Sequence, residues 1–197
     1  MHRTLMFILL SLPVAASAHI GSHDNAGFGS GFLHPVTGSD HLLAMLGVGL
    51  LAMTAARRQP GHLPWFLPAA FIGGMTAGIL AGALAIGGDV MASAAENLIV
   101  LSLFAIGLAL LAGGWAPALP ASAFVAAFAL FHGYAHGAEL PAQANAAAYI
   151  AGILLATTAL HLGGMLAGYT LTRLPRGDWL LRACGAGTLL FGVSLLA

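Results

Sequence analysis

The sequence predicts an all-α integral membrane protein, a compact bundle of six transmembrane helices that follows a cleavable signal peptide. Composition is the first observation behind this expectation. Of 197 residues, 59% are hydrophobic, and the charged set is six Arg, no Lys and six Asp or Glu. A soluble domain carries about 25% charged residues, so a chain with 6% cannot cover a water-facing surface. The second observation is that apolar stretches of spanning length recur six times. The third is the placement of arginine, which falls on one side of the resulting bundle.

Residues 1–18 have the layout of a secretory signal. Arg3 gives a positive start, Leu5 to Val14 an apolar run, and Ala16-Ser17-Ala18 a small-residue ending. That apolar core is short for a bilayer. Cleavage after Ala18 leaves residues 19–197 as the transmembrane domain, with His19 as the mature N-terminus outside the cytoplasm. The alternative is an uncleaved anchoring helix.

Six apolar stretches follow, at about Ser39–Ala56, Pro64–Gly87, Val90–Gly113, Ala118–His136, Ala144–Leu171 and Trp179–Ala197. Pro, Gly and charged residues punctuate the breaks, as in Arg57-Arg58-Gln59-Pro60-Gly61 and Pro175-Arg176-Gly177-Asp178. With the mature N-terminus outside, the loops after the first, third and fifth stretches are cytoplasmic. Arg57, Arg58, Arg173 and Arg176 fall in those loops, and Arg182 opens the sixth stretch on that side. This is the positive-inside pattern, and it predicts a multi-pass inner-membrane protein with both mature termini periplasmic.

Glycine at Gly74-x3-Gly78-x3-Gly82 and Gly164-x3-Gly168 predicts close helix–helix approach. Met75 and Met165 read as packing residues, Trp115 and Trp179 as boundary anchors. Cys184 stands alone, which excludes disulfides within the chain and Cys-type zinc sites, and reads as a small buried residue. No basic face is available for nucleic acid. Nothing bears on oligomeric state.

Against this background two clusters stand out, His34-x5-Asp40-His41 and His132-x3-His136-x2-Glu139. Ionisable groups are costly in a membrane helix and mark function by default. Imidazole with carboxylate is a ligand set for a divalent transition metal. His132, His136 and Glu139 are spaced i, i+4, i+7, on one helix face. In the first cluster Pro35 suits a helix start, so His34 stands near that start with His41 two turns on. If the helix begins near Ser39, His34 belongs to a flexible entry segment. Asp40 is either a ligand or a holder of His41 through a hydrogen bond.

By the predicted topology both clusters lie at the outer side, and Glu96 reaches the same level as ligand, proton carrier or structural partner. His161, midway along the fifth stretch, is either a helix–helix hydrogen bonder or a deeper station for the ion. His62 reads as a solvated loop residue. If His19 becomes the N-terminus, its α-amine and imidazole, with His23 and Asp24, form an outer capture site; a plain disordered tail is the alternative.

The two motifs together, with Phe131-His132-Gly133-Tyr134-Ala135-His136-Gly137-Ala138-Glu139 as the second, resemble the HupE/UreJ family of nickel permeases. The resemblance runs over essentially the whole mature chain, and His161 also matches a recurring family feature. It implies a secondary permease, not an enzyme, that takes up Ni²⁺ for hydrogenase or urease maturation, with no prosthetic group. An intramembrane metal-dependent hydrolase is the rival, since H-x3-H-x2-E approaches zinc-protease spacing. That spacing lacks a Glu directly after the first His, where Gly133 stands. Nitrogen and oxygen ligands do not by themselves select Ni²⁺ over Co²⁺ or Zn²⁺, and the energy source is open. The halves also fit two inverted three-helix repeats.

Overall fold

A computed structural model of the chain describes residues 27–58, 64–113 and 118–196. The signal segment 1–18, His19, His23, Asp24, His62 and Trp115 lie outside the described residues. Seven α-helices are described: α1 (Phe28–Thr37), α2 (Ser39–Arg58), α3 (Phe66–Ala83), α4 (Gly88–Leu111), α5 (Ala118–Ala138), α6 (Ala146–Leu171) and α7 (Gly177–Ser194). Four of them, α2, α3, α4 and α6, are long and apolar enough to cross a membrane. In α7, Asp178 and Arg182 lower the apolar average of an 18-residue helix. Val90, Leu84 and Leu190 are 82%, 73% and 71% exposed. A surface of that kind fits hydrocarbon rather than water, and the chain is an all-α membrane protein.

Six helices match the six apolar stretches to within a few residues; α1 is the addition. Residues 28–37 are helical rather than a flexible entry segment, and they do not continue into α2. The break is local. Thr37 Oγ1 donates to the Leu33 and His34 carbonyls at 3.1 and 3.2 Å. Gly38 then turns extended (φ −76°, ψ 110°), and its carbonyl accepts from Leu42 N–H at 2.8 Å as the new helix starts. Asp40 sits in the first turn of α2, where a carboxylate complements the helix dipole. Between α3 and α4, Ala85 (φ 50°) and Gly87 (φ 88°) make the tight reversal.

Helix packing is governed by glycine, as the sequence suggested. A methyl group on Gly78 of α3 would overlap the Leu130 carbonyl of α5, and one on Gly133 of α5 would overlap the Met75 carbonyl of α3. The same reciprocity joins α2 to α6, where Gly49 lies against the His161 carbonyl and Gly164 against that of Leu46. Gly31 of α1 and Gly152 of α6 interlock likewise, and Gly107 of α4 meets Gly185 of α7. The bundle is therefore three tightly docked units: α1–α2 with α6, α3 with α5, and α4 with α7. Met45, Phe71, Met75, Ile79, Leu103 and Ile153 fill the core between them, so Met75 packs as expected. Cys184 departs from expectation: it is exposed, on the outward side of α7.

At the end of the bundle holding the α2 C-terminus, Arg57 Nη1 donates to Asp178 Oδ1 at 2.9 Å and Arg58 approaches Oδ2 at 3.9 Å. This ties α2 to the start of α7. Arg173 lies 3.9 Å above the Tyr169 ring.

Candidate metal site

Three helix segments bring the two sequence clusters to one place. The His34–His136 ring centroids are 4.9 Å apart, His41–His136 4.6 Å, His41–His132 5.1 Å and His34–His41 6.3 Å. His34 reaches the cluster from the last turn of α1, His41 from the first turn of α2, and His132 and His136 from the end of α5. His34 and His41 thus converge from two helices across the Gly38 break, not from one face of a single helix.

The exposed rim is formed by His34 Nε2 and Glu139 Oε2, 3.0 Å apart. Glu139 follows the last residue of α5, and the His34 hydrogen bond holds its carboxyl below the usual carboxylate range. His34, His136 and Glu139 each present a ligand atom within 4.8 Å of the others, the spacing a cation could bridge with small adjustments. Their side chains run from half-exposed at the rim, Glu139 at 51% and His34 at 35%, to His136 and His132, which are buried.

Asp40 has a specific place. Its Oδ1 accepts from the His41 backbone N–H at 2.9 Å and from His41 Nδ1 at 3.0 Å. Of the two roles open to it, this geometry is that of the carboxylate that holds an imidazole. With Nδ1 donating, His41 Nε2 carries the lone pair, and it is buried without a partner. His132 Nδ1 and both His136 nitrogens are likewise buried and unpartnered. Each buried, unsatisfied polar atom costs about 1–3 kcal/mol, and a cluster of them calls for an explanation. A bound cation supplies one, because it uses the lone pairs the protein leaves unused.

Glu96, on the exposed side of α4, joins none of the described ion pairs, but it lies close enough to Glu139, His41 and Asp40 for electrostatic interaction. His161 stands apart from the cluster. It is buried in α6 with both nitrogens unpartnered, separated from His132 by the Phe71 ring, whose centroid is 5.5 Å from His132 and 4.8 Å from His161. A cavity of about 460 Å³ borders His161, lined also by Trp65, Thr158 and Met165.

Three neighbours of the site had escaped the sequence reading. Ser102 Oγ lies 3.0 Å from His132 Nε2, Phe71 separates the two histidine levels, and the Tyr149 ring centroid is 6.4 Å from His34. Ser102 carried a signal, a hydroxyl within the apolar run Leu101–Leu103, but only the fold pairs it with a histidine.

The HupE / UreJ protein family model matches residues 7–195. The chain belongs to the HupE/UreJ family. Among curated relatives, Protein HupE of Rhizobium leguminosarum bv. viciae is 37% identical over 194 residues, covering 98% of this chain and 96% of the relative. No solved structure matches. Membership in HupE/UreJ carries a transporter-type function for a divalent metal, not an enzymatic one, and the hydrolase alternative falls away. For this HupE/UreJ chain the paired histidine clusters are thus candidates for cargo contact.

Proposed function

We propose that the protein is a secondary permease that takes up a divalent transition metal, most consistently Ni²⁺, across the bacterial inner membrane. Within that proposal the cargo serves hydrogenase or urease maturation, and the signal peptide is removed after Ala18. Helices α2 to α7 then supply the six spans, with α1 as a half-length lead-in at the outer side and both mature termini periplasmic. The single observation that carries this reading is the convergence of four imidazoles, three of them with buried nitrogens that have no partner, in a transporter-family chain.

The order of groups suggests a path. Glu139 and His34 meet the hydrated ion at the rim, and His19 and His23 would raise its concentration there. His136, His41 and His132 exchange waters for nitrogen, Asp40 balances charge through His41, and Glu96 adds negative potential nearby. His161 is the next station, beyond Phe71. Release is favoured by how the ligands are divided. His34 and His41 belong to the α1–α2–α6 unit, whereas His132, His136 and Glu139 belong to α3–α5. Rocking one unit against the other takes the ligand set apart without breaking either glycine-packed pair. The pairing also has the form expected of two inverted three-helix halves: exchanging α2, α3, α4 with α5, α6, α7 maps α2–α6 onto α5–α3 and α4–α7 onto itself.

Purified protein in proteoliposomes tests the reading with radioactive Ni²⁺, Co²⁺ and Zn²⁺, with and without a pH gradient. Metal entry above protein-free vesicles, abolished by His41→Ala and His136→Ala, is the expected result. Wild-type flux equal to that of empty vesicles refutes it.

A further inference from the structure

Ser102 is 2% exposed, on α4, and its hydroxyl has two neighbours. Oγ donates to the Ile99 carbonyl at 2.6 Å and lies 3.0 Å from His132 Nε2. A serine hydroxyl has a single proton to give. The short contact to a carbonyl, which can only accept, claims that proton. Towards His132, Ser102 therefore acts as the acceptor, and His132 Nε2 must carry the hydrogen. The neutral ring then has its lone pair on Nδ1, the nitrogen that is buried without a partner on a ring edge-packed against His41 at 5.1 Å.

We infer that Ser102 is a positioning residue that locks His132 in the Nε2–H tautomer, so that Nδ1 is the atom offered to the cargo ion. The inference rests on the reading of His132 as a cargo ligand and extends it by assigning the donor atom and the residue that selects it. It places the same logic on both clusters. Asp40 accepts a hydrogen bond from Nδ1–H of His41 and leaves the Nε2 lone pair free; Ser102 accepts one from Nε2–H of His132 and leaves that of Nδ1 free. Groups that accept from the remote nitrogen of a metal-binding histidine fix its tautomer and ring orientation. The neutral hydroxyl adds no charge at this buried position, whereas a carboxylate there would bring a desolvation cost. Since Ser102 lies on α4 and His132 on α5, the hydrogen bond also sets the ring from outside its own helix.

The test uses full-length protein in nanodiscs with ring-¹⁵N-labelled histidine, the His132 signals being identified by their disappearance in His132→Asn. Wild type is expected to show His132 as a single Nε2–H tautomer, and added Zn²⁺, a diamagnetic probe, should shift the Nδ1 resonance. This measurement needs no altered Ser102. Ser102→Ala is expected to give a mixed tautomer population and a Zn²⁺ and Ni²⁺ affinity lower by about 10–100-fold, the range for loss of such partners. Ser102→Thr keeps the hydroxyl, which in a helix can still donate to the preceding turn. A cavity of about 370 Å³ alongside Ser102 has room for the added methyl. Threonine should restore both tautomer and affinity.

A wild-type Nδ1–H tautomer, or a Ser102→Ala protein with unchanged tautomer and affinity, overturns the assignment. If His132→Ala lowers affinity while Ser102→Ala does not, the role of Ser102 alone fails. If His132→Ala and His136→Ala both bind Zn²⁺ as wild type does, the cargo-site reading fails with it.

Discussion

Asp40→Asn isolates charge from shape at the first cluster. The wild-type Oδ1 accepts two hydrogen bonds, from His41 N–H at 2.9 Å and His41 Nδ1 at 3.0 Å. The side chain is 26% exposed and that of His41 13%, so solvent screens the pair only in part. Hydrogen bonds to a charged group contribute about 1.5–3 kcal/mol when made, and the exposure of Asp40 argues for the lower half of that range. An asparagine of the same shape keeps an acceptor oxygen and the backbone bond. What it loses is the negative charge that favours His41 with Nδ1–H and that partly neutralises a bound dication. The expected cost is about 1.4–2 kcal/mol of metal binding, or roughly 10–30-fold in Kd. Asp40→Ala, which also frees the ring, should reach roughly 100-fold, the upper end for loss of a carboxylate behind a ligating histidine. Competition against a chelating dye gives Kd for Ni²⁺ in detergent, and thermal unfolding reports whether the helix start survives. Wild-type Kd in both variants would refute the role given to Asp40, and equal large losses would make Asp40 a direct ligand.

Further outcomes follow from the same geometry. His161→Ala should slow Ni²⁺ entry into proteoliposomes while leaving Kd at the outer site within about twofold, because Phe71 separates His161 from the cluster; a parallel loss of Kd would place His161 in the first site. Acidifying the outer side should weaken binding by up to about tenfold per pH unit for each ligating imidazole that must shed a proton. Glu139, held below the usual carboxylate range by its hydrogen bond to His34, stays charged through that fall; binding titrations between pH 8 and 5.5 check the sign. Gly78→Leu should destabilise the α3–α5 pair by more than the 1–3 kcal/mol or so of ordinary overpacking, since the obstacle is the Leu130 backbone; a wild-type melting temperature in detergent would contradict this. Asp178→Asn removes a half-exposed ion pair with Arg57 and should change stability by no more than about 1 kcal/mol, read in the same melts.

Six of the seven described helices were legible because apolar length is a strong signal in a chain with so little charge; the short α1 was not. Ser39 and Leu171, expected as element ends, are the ends of α2 and α6. The second cluster was legible because i, i+4, i+7 spacing has only one meaning on a helix. The first was only half so. Pro35 suggested a helix start, yet it lies inside α1, and the chain breaks instead at Gly38. The turn depends on Thr37 satisfying two carbonyls, a side-chain choice that sequence periodicity does not encode. Ser102 and Phe71 were hidden for another reason: each acts on a histidine from a different helix, and interhelical register is set by where glycines let backbones meet. Cys184 misled because small apolar residues suit both a core and a lipid face, and here the face is the outer one.

A transported ion imposes opposite demands on its site. Several deprotonated imidazoles bind a transition dication tightly, but an ion held too tightly leaves too slowly. The cluster separates these demands in space. Within each glycine-packed unit the backbones are so close that a single methyl group would force them apart, so the units move as rigid bodies if they move at all. No glycine contact of that kind crosses between α3–α5 and α1–α2–α6 among the described residues. The ligands lie across that seam, three on one side and two on the other. On the proposed reading affinity is a property of the closed arrangement, and a shift along the seam draws the His132, His136 and Glu139 set away from His34 and His41. In such a design the histidines supply recognition, while the glycines decide when recognition ends. A cysteine pair engineered across the seam, at Val48 of α2 and Phe128 of α5, which line one cavity, separates the two functions. In a Cys184→Ala background, bridging the pair with a bis-methanethiosulfonate reagent, which spans more than a disulfide can, should preserve Ni²⁺ binding and stop Ni²⁺ entry, with reduction restoring it. Transport undiminished in the cross-linked protein would mean that the ligand set does not have to come apart.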